Sequence, residues 1–155
     1  MDRPEFLRRV WPAQGFYCVA LPRASGSFRH LWAPTQEDAS AIVEAQDAAG
    51  ITVYHACSSF TSTANRKGPN AAFVKACWLD LDVGVGPNKF ATLGEAGAAL
   101  KTFVVKHGLP APLVVSSGGG LHAYFTFEHE VEAQTAIVAA KQVKALALFD
   151  NFKID

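Results

Sequence analysis

The chain has 155 residues, of which 50% are hydrophobic and 18% are charged, a composition typical of one globular domain. Fourteen lysines and arginines balance fourteen aspartates and glutamates, which excludes a protein that binds nucleic acid through a global positive charge. The three cysteines are an odd number without CxxC spacing, which argues against a disulfide framework and a structural zinc site.

The sequence contains no apolar segment long enough to span a membrane. Its charged N-terminal residues lead into no long apolar run, so we expect no signal peptide. The expectation is therefore a single cytoplasmic domain over residues 1–155, with reduced cysteines and no membrane partner.

The N-terminal third predicts alternating helices and strands. We expect, in order, a helix at 3–10, strands at 15–21 and 28–32, a helix at 35–49 and a strand at 51–57. Thr35 is the expected N-cap of the second helix, because a threonine hydroxyl accepts a hydrogen bond from the first turn. Gly50 is the expected C-terminal stop of that helix.

Residues 58–70 form a polar stretch without apolar periodicity and predict a surface loop. The only charged residues in this stretch are Arg66 and Lys67. A solvated loop is the favoured interpretation of an isolated basic pair. The functional alternative is a salt-sensitive contact of these two side chains with the phosphates of a nucleic-acid strand.

The apolar run at 77–83 predicts a buried strand that contains two aspartates, Asp80 and Asp82. Side chains two positions apart in a strand point to the same face, so both carboxylates and Trp78 are expected on one face. Two carboxylates this close repel each other, and a hard divalent cation such as Mg²⁺ relieves the repulsion. The alternative is an exposed strand end with two solvated acids, because a bare DxD pattern is common.

The rest of the chain predicts a helix, two strands joined by a tight turn, and a last helix. The expected ranges are a helix at 92–107, strands at 113–116 and 121–127, and a helix at 130–148. With the 77–83 strand they give a β-α-β-β-α order, which predicts an α+β fold with an RNA-recognition-like mixed sheet flanked by helices. The N-terminal strand–helix–strand segment is expected to extend or flank that sheet.

A glycine-rich turn separates the last two predicted strands. Two serines, Ser116 and Ser117, are followed by Gly118, Gly119 and Gly120. Glycines let backbone N–H groups converge on an anion at no steric cost, and the serine hydroxyls are further donors. The turn therefore predicts a phosphate-binding segment.

His122 comes directly after this turn. Strand alternation places His122, Tyr124 and Thr126 on a polar face and the intervening residues on an apolar face. A lone histidine is often an ordinary surface or core residue. One that follows a glycine turn and shares a sheet with an acidic pair is a stronger candidate for a functional role.

Two segments together, Asp80-Leu81-Asp82 and Ser-Gly-Gly-Gly-Leu-His-Ala-Tyr-Phe at 117–125, resemble motifs of the archaeo-eukaryotic primase superfamily. They look most like the bifunctional primase–polymerase (prim-pol) domains of phage and plasmid replication proteins. The resemblance covers about residues 70–155 and implies an RNA-recognition-like catalytic module. It implies that the two aspartates bind metal ions and that His122 contacts the phosphates of the incoming nucleotide.

The resemblance also implies further site residues. A lysine often follows the acidic pair in the phage relatives, and Lys89 matches it. The third motif is a hydrophobic residue followed by aspartate, so Asp155 is the expected third metal ligand and Asp150 the weaker candidate. Many relatives have a serine two residues before the histidine, where this chain has Gly120, so a hydroxyl contact would come from the two preceding serines.

The activity implied by the resemblance is template-directed nucleotidyl transfer by a DNA primase and polymerase that replicates a phage or plasmid. It implies two Mg²⁺ or Mn²⁺ ions held by Asp80, Asp82 and Asp155. The implied partners are nucleoside triphosphates, a single-stranded DNA template and a replicative helicase domain or protein. For a phage protein the expected location is the cytoplasm of the bacterial host.

Two alternatives remain open at this point. A metal-dependent nuclease or phosphodiesterase uses the same acids and histidine, with water as the nucleophile. A non-catalytic nucleotide- or DNA-binding module keeps the binding residues without turnover. Relatives continue past the third motif into more catalytic sheet, so we expect this chain to be a fragment, a minimal protein or a degenerate copy.

Overall fold

The computed structural model describes residues 1–154 and contains, over that range, four α-helices and seven β-strands. In chain order these are α1 (Arg3–Val10), β1 (Tyr17–Pro22), β2 (Phe28–Ala33), α2 (Gln36–Ala48), β3 (Tyr54–His55), β4 (Ser58–Phe60), β5 (Ala71–Asp82), α3 (Leu93–Lys106), β6 (Leu113–Ser116), β7 (Gly120–Glu132) and α4 (Ala133–Phe149). The predicted α+β fold is therefore confirmed. None of the helices within residues 1–154 is long and apolar enough to cross a membrane.

The strands form two sheets, with the orders β2-β1-β3 and β4-β5-β7-β6. Within residues 1–154 the two sheets are antiparallel rather than mixed as expected, and the pairs β1–β2, β1–β3, β4–β5 and β6–β7 show this directly. The tight turn between β6 and β7 explains their pairing, because such turns join only antiparallel neighbours. Strand β7 lies between β5 and β6, which helix α3 connects. This arrangement is a split β-α-β unit, as expected for an RNA-recognition-like fold.

The chain divides into two compact units. The first comprises Met1–Ala76 and Phe127–Ala133, and the second comprises Cys77–Thr126 and the residues from Gln134 onward. Two of the three boundaries fall inside strands, β5 and β7, and the third follows the first residue of α4, which explains why the sequence shows no linker at these points. The expected N-terminal strand–helix–strand segment is found in the first unit, where β2 and β3 flank β1.

The first unit is built on strand β1, whose residues 17–21 are buried. Its two helices begin at side-chain caps, which satisfy backbone donors that have no partner inside the helix. At α1, Oδ1 of Asp2 accepts a hydrogen bond from the N–H of Glu5 at 2.8 Å. At α2, the hydroxyl of Thr35 accepts one from the N–H of Asp38 at 3.1 Å, as the sequence predicts.

The segment between α2 and β5 differs from the prediction. The expected strand at 51–57 is reduced to Tyr54–His55, and the expected loop at 58–70 begins with strand β4. Phe60 of β4 is buried, and its backbone exchanges two hydrogen bonds of 2.9 Å with Phe16. These partners are distant in sequence, so local propensity in a serine-rich segment could not reveal the strand.

The core of the second unit consists of buried side chains from β5, α3, β7, α4 and the loop before α3. Its members are Leu79, Leu81, Phe90, Ala96, Leu100, Phe103, Ala123, Phe125 and Ala147. Helix α3 begins at the predicted cap, where the hydroxyl of Thr92 accepts a hydrogen bond from the N–H of Glu95 at 3.1 Å. Leu79 and Leu81 of β5 pack into this core. The opposite face of the strand therefore carries its more exposed residues.

The three cysteines are free thiols in this fold. Burial raises the pKa of all three thiols. The pKa is about 11 for Cys18 and about 12 for Cys57, and that of Cys77 is also raised. A buried thiol with a raised pKa is a poor nucleophile and metal ligand. Cys18 and Cys77 are buried, whereas Cys57 is only partly buried.

Candidate functional site

Asp80 and Asp82 lie on the same face of β5. Leu79 and Leu81 are buried, whereas the aspartate side chains are 39% and 38% exposed. This is the alternation that the sequence predicts. The rise of a strand puts the two aspartate Cα atoms roughly 7 Å apart, and a single ion shared by both carboxylates stays a prediction.

His122 is held beside Asp80 by the neighbouring strand β7. Its Nε2 atom lies 3.4 Å from Oδ1 of Asp80, and its side chain is 35% exposed. Its ring also makes an edge contact with Tyr124, with 6.4 Å between centroids. The prediction that Tyr124 lies on a polar face of β7 is wrong, because its residue exposure is only 6%. The apolar body of the ring favours burial.

Lys89 is brought back to the end of β5 by the loop that follows Asp82. The carbonyl of Asp82 accepts a hydrogen bond from the N–H of Phe90, and the N–H of Gly84 donates to the carbonyl of Phe90, both at 2.9 Å. Once the loop is closed, Nζ of Lys89 lies 3.0 Å from Oδ2 of Asp82. An exposed ion pair of this kind contributes only about 0–1 kcal/mol, so a better anion can displace the carboxylate from the lysine at little cost.

The glycine turn contacts β5 next to the aspartates. A β-carbon on Gly120 would lie 2.2 Å from the carbonyl oxygen of Leu81, so only glycine fits there. Gly118 has a φ of +84°, which the first central position of a type II′ hairpin turn requires. The carbonyl of Gly119 accepts a hydrogen bond from the N–H of Val83 at 2.8 Å. The glycines thus serve close packing of the turn against the strand that carries the acids.

The two serines of this segment are exposed. Ser116 pairs with Leu121 in the β6–β7 register, and the N–H of Ser117 donates to the carbonyl of Gly120 at 3.0 Å. Neither contact occupies a serine hydroxyl. The phosphate-binding role of the serines and of the glycine amides stays a prediction.

The third acid is the incomplete part of the site. Asp155 lies outside the described residues. Asp150 pairs with other residues: one carboxylate oxygen lies 2.7 Å from Nζ of Lys106 and the other 2.7 Å from Nε2 of His107. Hydrogen bonds from Lys106 and then His107 hold the pKa of Asp150 below its usual value. No motif in the sequence pointed to this cluster, which joins the ends of α3 and α4.

Arg66 and Lys67 are exposed in the first unit, in the loop between β4 and β5. The loop is held by Asn70, whose Oδ1 accepts hydrogen bonds from the hydroxyls of Thr61 at 2.7 Å and Ser62 at 2.9 Å. Asn70 therefore links the two ends of the loop, while Arg66 and Lys67 are exposed. Their contact with nucleic acid stays a prediction.

Comparisons of this chain with protein-family models, with curated proteins and with solved structures returned no match.

The donor set of the site suits a hard divalent cation. Two carboxylates on one strand face offer the oxygen ligands that Mg²⁺ prefers, and Mg²⁺ typically takes one or two protein carboxylates and completes its shell with water and substrate phosphates. Over residues 1–154, no group of three His, Cys, Asp or Glu side chains is close enough to hold an ion. Binding of an ion by the two carboxylates together with water and substrate phosphate stays a prediction.

Proposed function

We propose that the second unit carries the active site of a metal-dependent nucleotidyltransferase, a DNA primase and polymerase of the type that the motifs resemble. The observation that carries the proposal is the shared face of Asp80 and Asp82, with His122 only 3.4 Å from Asp80. A split β-α-β unit that presents two carboxylates and a histidine on adjacent central strands supports it.

In this proposal Asp80 and Asp82 hold the metal through carboxylate oxygens, and Asp155 is the third ligand on the strength of the sequence pattern alone. Mg²⁺ or Mn²⁺, when bound, supplies activation of the attacking 3′ hydroxyl and neutralisation of charge on the leaving pyrophosphate. The partial exposure of both aspartates leaves room for a substrate phosphate beside them.

Lys89 and His122 bind the triphosphate in this scheme. Each lies against a carboxylate, at 3.0 Å for Lys89 and 3.4 Å for His122. A triphosphate carries more negative charge than a carboxylate, so it draws both side chains toward itself and leaves the aspartates to the metal. The glycine turn and its serines add N–H and O–H donors at the same end of β5.

The proposed partners are nucleoside triphosphates, a single-stranded DNA template and a replicative helicase. Arg66 and Lys67 would contribute sequence-independent, salt-sensitive contacts to template phosphates. A cytoplasmic location, in the bacterial host if the protein is encoded by a phage, belongs to the same proposal.

A non-catalytic nucleotide-binding module is the second candidate. Two observations favour it: no third acid joins the pair within residues 1–154, and Nζ of Lys89 lies 3.0 Å from Oδ2 of Asp82. Such a module would bind a nucleotide through Lys89, His122 and the glycine turn without transferring it.

The test is nucleotide incorporation on single-stranded DNA with Mg²⁺ or Mn²⁺. We expect Asp80→Asn and Asp82→Asn each to lower incorporation by about 100-fold or more, because metal ligation contributes several kcal/mol of transition-state stabilisation. Asp47→Asn is the matched control, since Asp47 is an exposed aspartate of the first unit in an ion pair with Arg3 at 2.9 Å.

Three other results would contradict the proposal. Incorporation that survives both active-site substitutions would remove the aspartates from catalysis. Cleavage of DNA by the wild-type protein without nucleotides would favour the nuclease. Nucleotide binding without incorporation or cleavage would favour the non-catalytic module.

A further inference from the structure

Trp78 is a large aromatic residue that remains exposed in the middle of a buried strand. Its residue exposure is 53%, whereas its neighbours Cys77 and Leu79 are 8% and 7% exposed. Within residues 1–154 its indole makes no contact with another ring and no side-chain hydrogen bond. A single exposed apolar residue is ordinary on a protein surface, so its position must decide whether it has a role.

The position of Trp78 is on the face of the candidate site. It precedes Asp80 by two residues and Asp82 by four, so all three share one face of β5. The strand rise puts the Cα atom of Trp78 about 7 Å from that of Asp80 and about 13 Å from that of Asp82. Along this face, an aromatic surface is followed by a carboxylate with His122 and then by a carboxylate with Lys89.

This order matches the order of groups in a nucleotide. A nucleobase presents a flat π-face, and its phosphates are bound by cations and metal ions. Aromatic side chains exposed on the face of a sheet stack on unpaired bases, and each stacked base contributes about 1–3 kcal/mol to binding. A buried tryptophan could not serve in this way, and an aliphatic residue has no π-face.

We propose that Trp78 is a stacking platform for a nucleobase at one end of the site whose other end binds phosphate. This proposal rests on the proposed function for the identity of the phosphate end, but it makes a separate statement about binding. The base belongs to a single strand of DNA or to a free nucleotide, and the two sources share the chemistry that the indole recognises.

The experiment measures the affinity of the full chain for a fluorescent oligothymidylate and, separately, for a nucleoside triphosphate. We compare the wild type with Trp78→Phe, which keeps a ring, and with Trp78→Leu and Trp78→Thr, which do not. Phe149→Leu is the matched control, because Phe149 is an aromatic residue of helix α4 that is 80% exposed. Thermal unfolding of each variant checks that it is folded.

We expect the non-aromatic variants to bind one ligand about fivefold to a hundredfold more weakly, with Trp78→Phe in between and Phe149→Leu unchanged. The ligand whose affinity falls identifies the source of the base. Trp78→Leu should leave the salt dependence of oligonucleotide affinity unchanged, because stacking releases no counterions. Lys89→Gln should reduce this salt dependence if the oligonucleotide occupies the phosphate end of the site.

The proposal is overturned if the wild type binds neither ligand, if Trp78→Leu and Trp78→Thr bind as the wild type does, or if Trp78→Phe is as weak as they are. Failure of the proposed function looks different. In that case the Trp78 variants still bind more weakly than the wild type, but nucleotide incorporation is either absent or unaffected by substitution of Asp80 and Asp82.

Discussion

Nε2 of His122 lies 3.4 Å from Oδ1 of Asp80, although the two residues belong to different strands with helix α3 and strand β6 between them in the sequence. Their contact depends on β7 lying beside β5, which in turn depends on the turn that ends at Gly120. The contact between His122 and Asp80 therefore forms only when the split β-α-β unit is folded.

Replacing His122 with alanine should weaken nucleotide binding by about 10- to 150-fold, since a hydrogen bond to a charged group contributes about 1.5–3 kcal/mol. The free energy of unfolding should change by only about 0.5 kcal/mol, because the side chain is partly exposed and outside the core. Titration calorimetry and urea unfolding measure the two quantities. His129→Ala is the control, because the side chain of His129 is 86% exposed. Unchanged nucleotide affinity in folded His122→Ala would remove this residue from the site.

Gly120→Ala should destabilise the protein by about 1–3 kcal/mol, because its β-carbon would overlap the carbonyl oxygen of Leu81 and force the turn away from β5. Gly119→Ala is the matched control: its β-carbon meets nothing within 4 Å and its φ is not positive. Urea unfolding of both variants gives the comparison. Equal stabilities would mean that the close approach of the turn to β5 does not hold in solution.

Lys89→Gln should have opposite effects on two ligands. Mn²⁺ alone should bind about two- to fivefold more tightly, because an exposed ion pair that competes with the metal for Asp82 is lost. The triphosphate should bind more weakly, because the same lysine is proposed to contact phosphate. Lys101→Gln, an exposed lysine on helix α3, is the control. If the affinities for Mn²⁺ and for the triphosphate both rose or both fell, Lys89 would not move from the Asp82 carboxylate to a phosphate when the nucleotide binds.

The Asp150 cluster should make stability depend on acid pH. The pKa of Asp150 is lowered from 3.8 by hydrogen bonds from Lys106 and His107, so the folded carboxylate binds its proton less readily than the unfolded one. Its contribution is therefore complete above the unfolded pKa and is lost as pH falls through the folded pKa. Asp150→Asn should be less stable than the wild type at pH 7, and this difference should shrink below pH 3.8. A difference that stays constant with pH in urea unfolding would contradict the ion-pair account.

The parts of the site that the sequence predicts correctly depend on local rules. Strand periodicity is enough to place Asp80, Asp82 and Trp78 on one face, because neighbouring leucines fix which face is buried. The caps at Thr35 and Thr92 are likewise local, since each hydroxyl bonds a backbone N–H three residues away.

The parts that the sequence does not predict depend on distant partners. Strand β4 forms because Phe60 pairs with Ala71 and Phe16, and neither partner is implied by a serine-rich segment. Tyr124 is buried although the alternating pattern put it on the polar face. The pairing of Asp150 with His107 joins the ends of two helices and leaves no periodic signal in the sequence.

The most direct test of the account is to locate a bound Mn²⁺ ion by NMR, because this paramagnetic ion broadens the signals of nearby nuclei. At substoichiometric Mn²⁺, the indole N–H of Trp78 and the backbone amides of Asp80, Asp82 and His122 should lose intensity first. The signals of His129, which is exposed near Glu128, should persist, and the Asp80→Asn, Asp82→Asn double variant should show no selective loss. Loss of intensity at other residues first, or the same loss in the double variant, would contradict the claim that these two aspartates form a metal site.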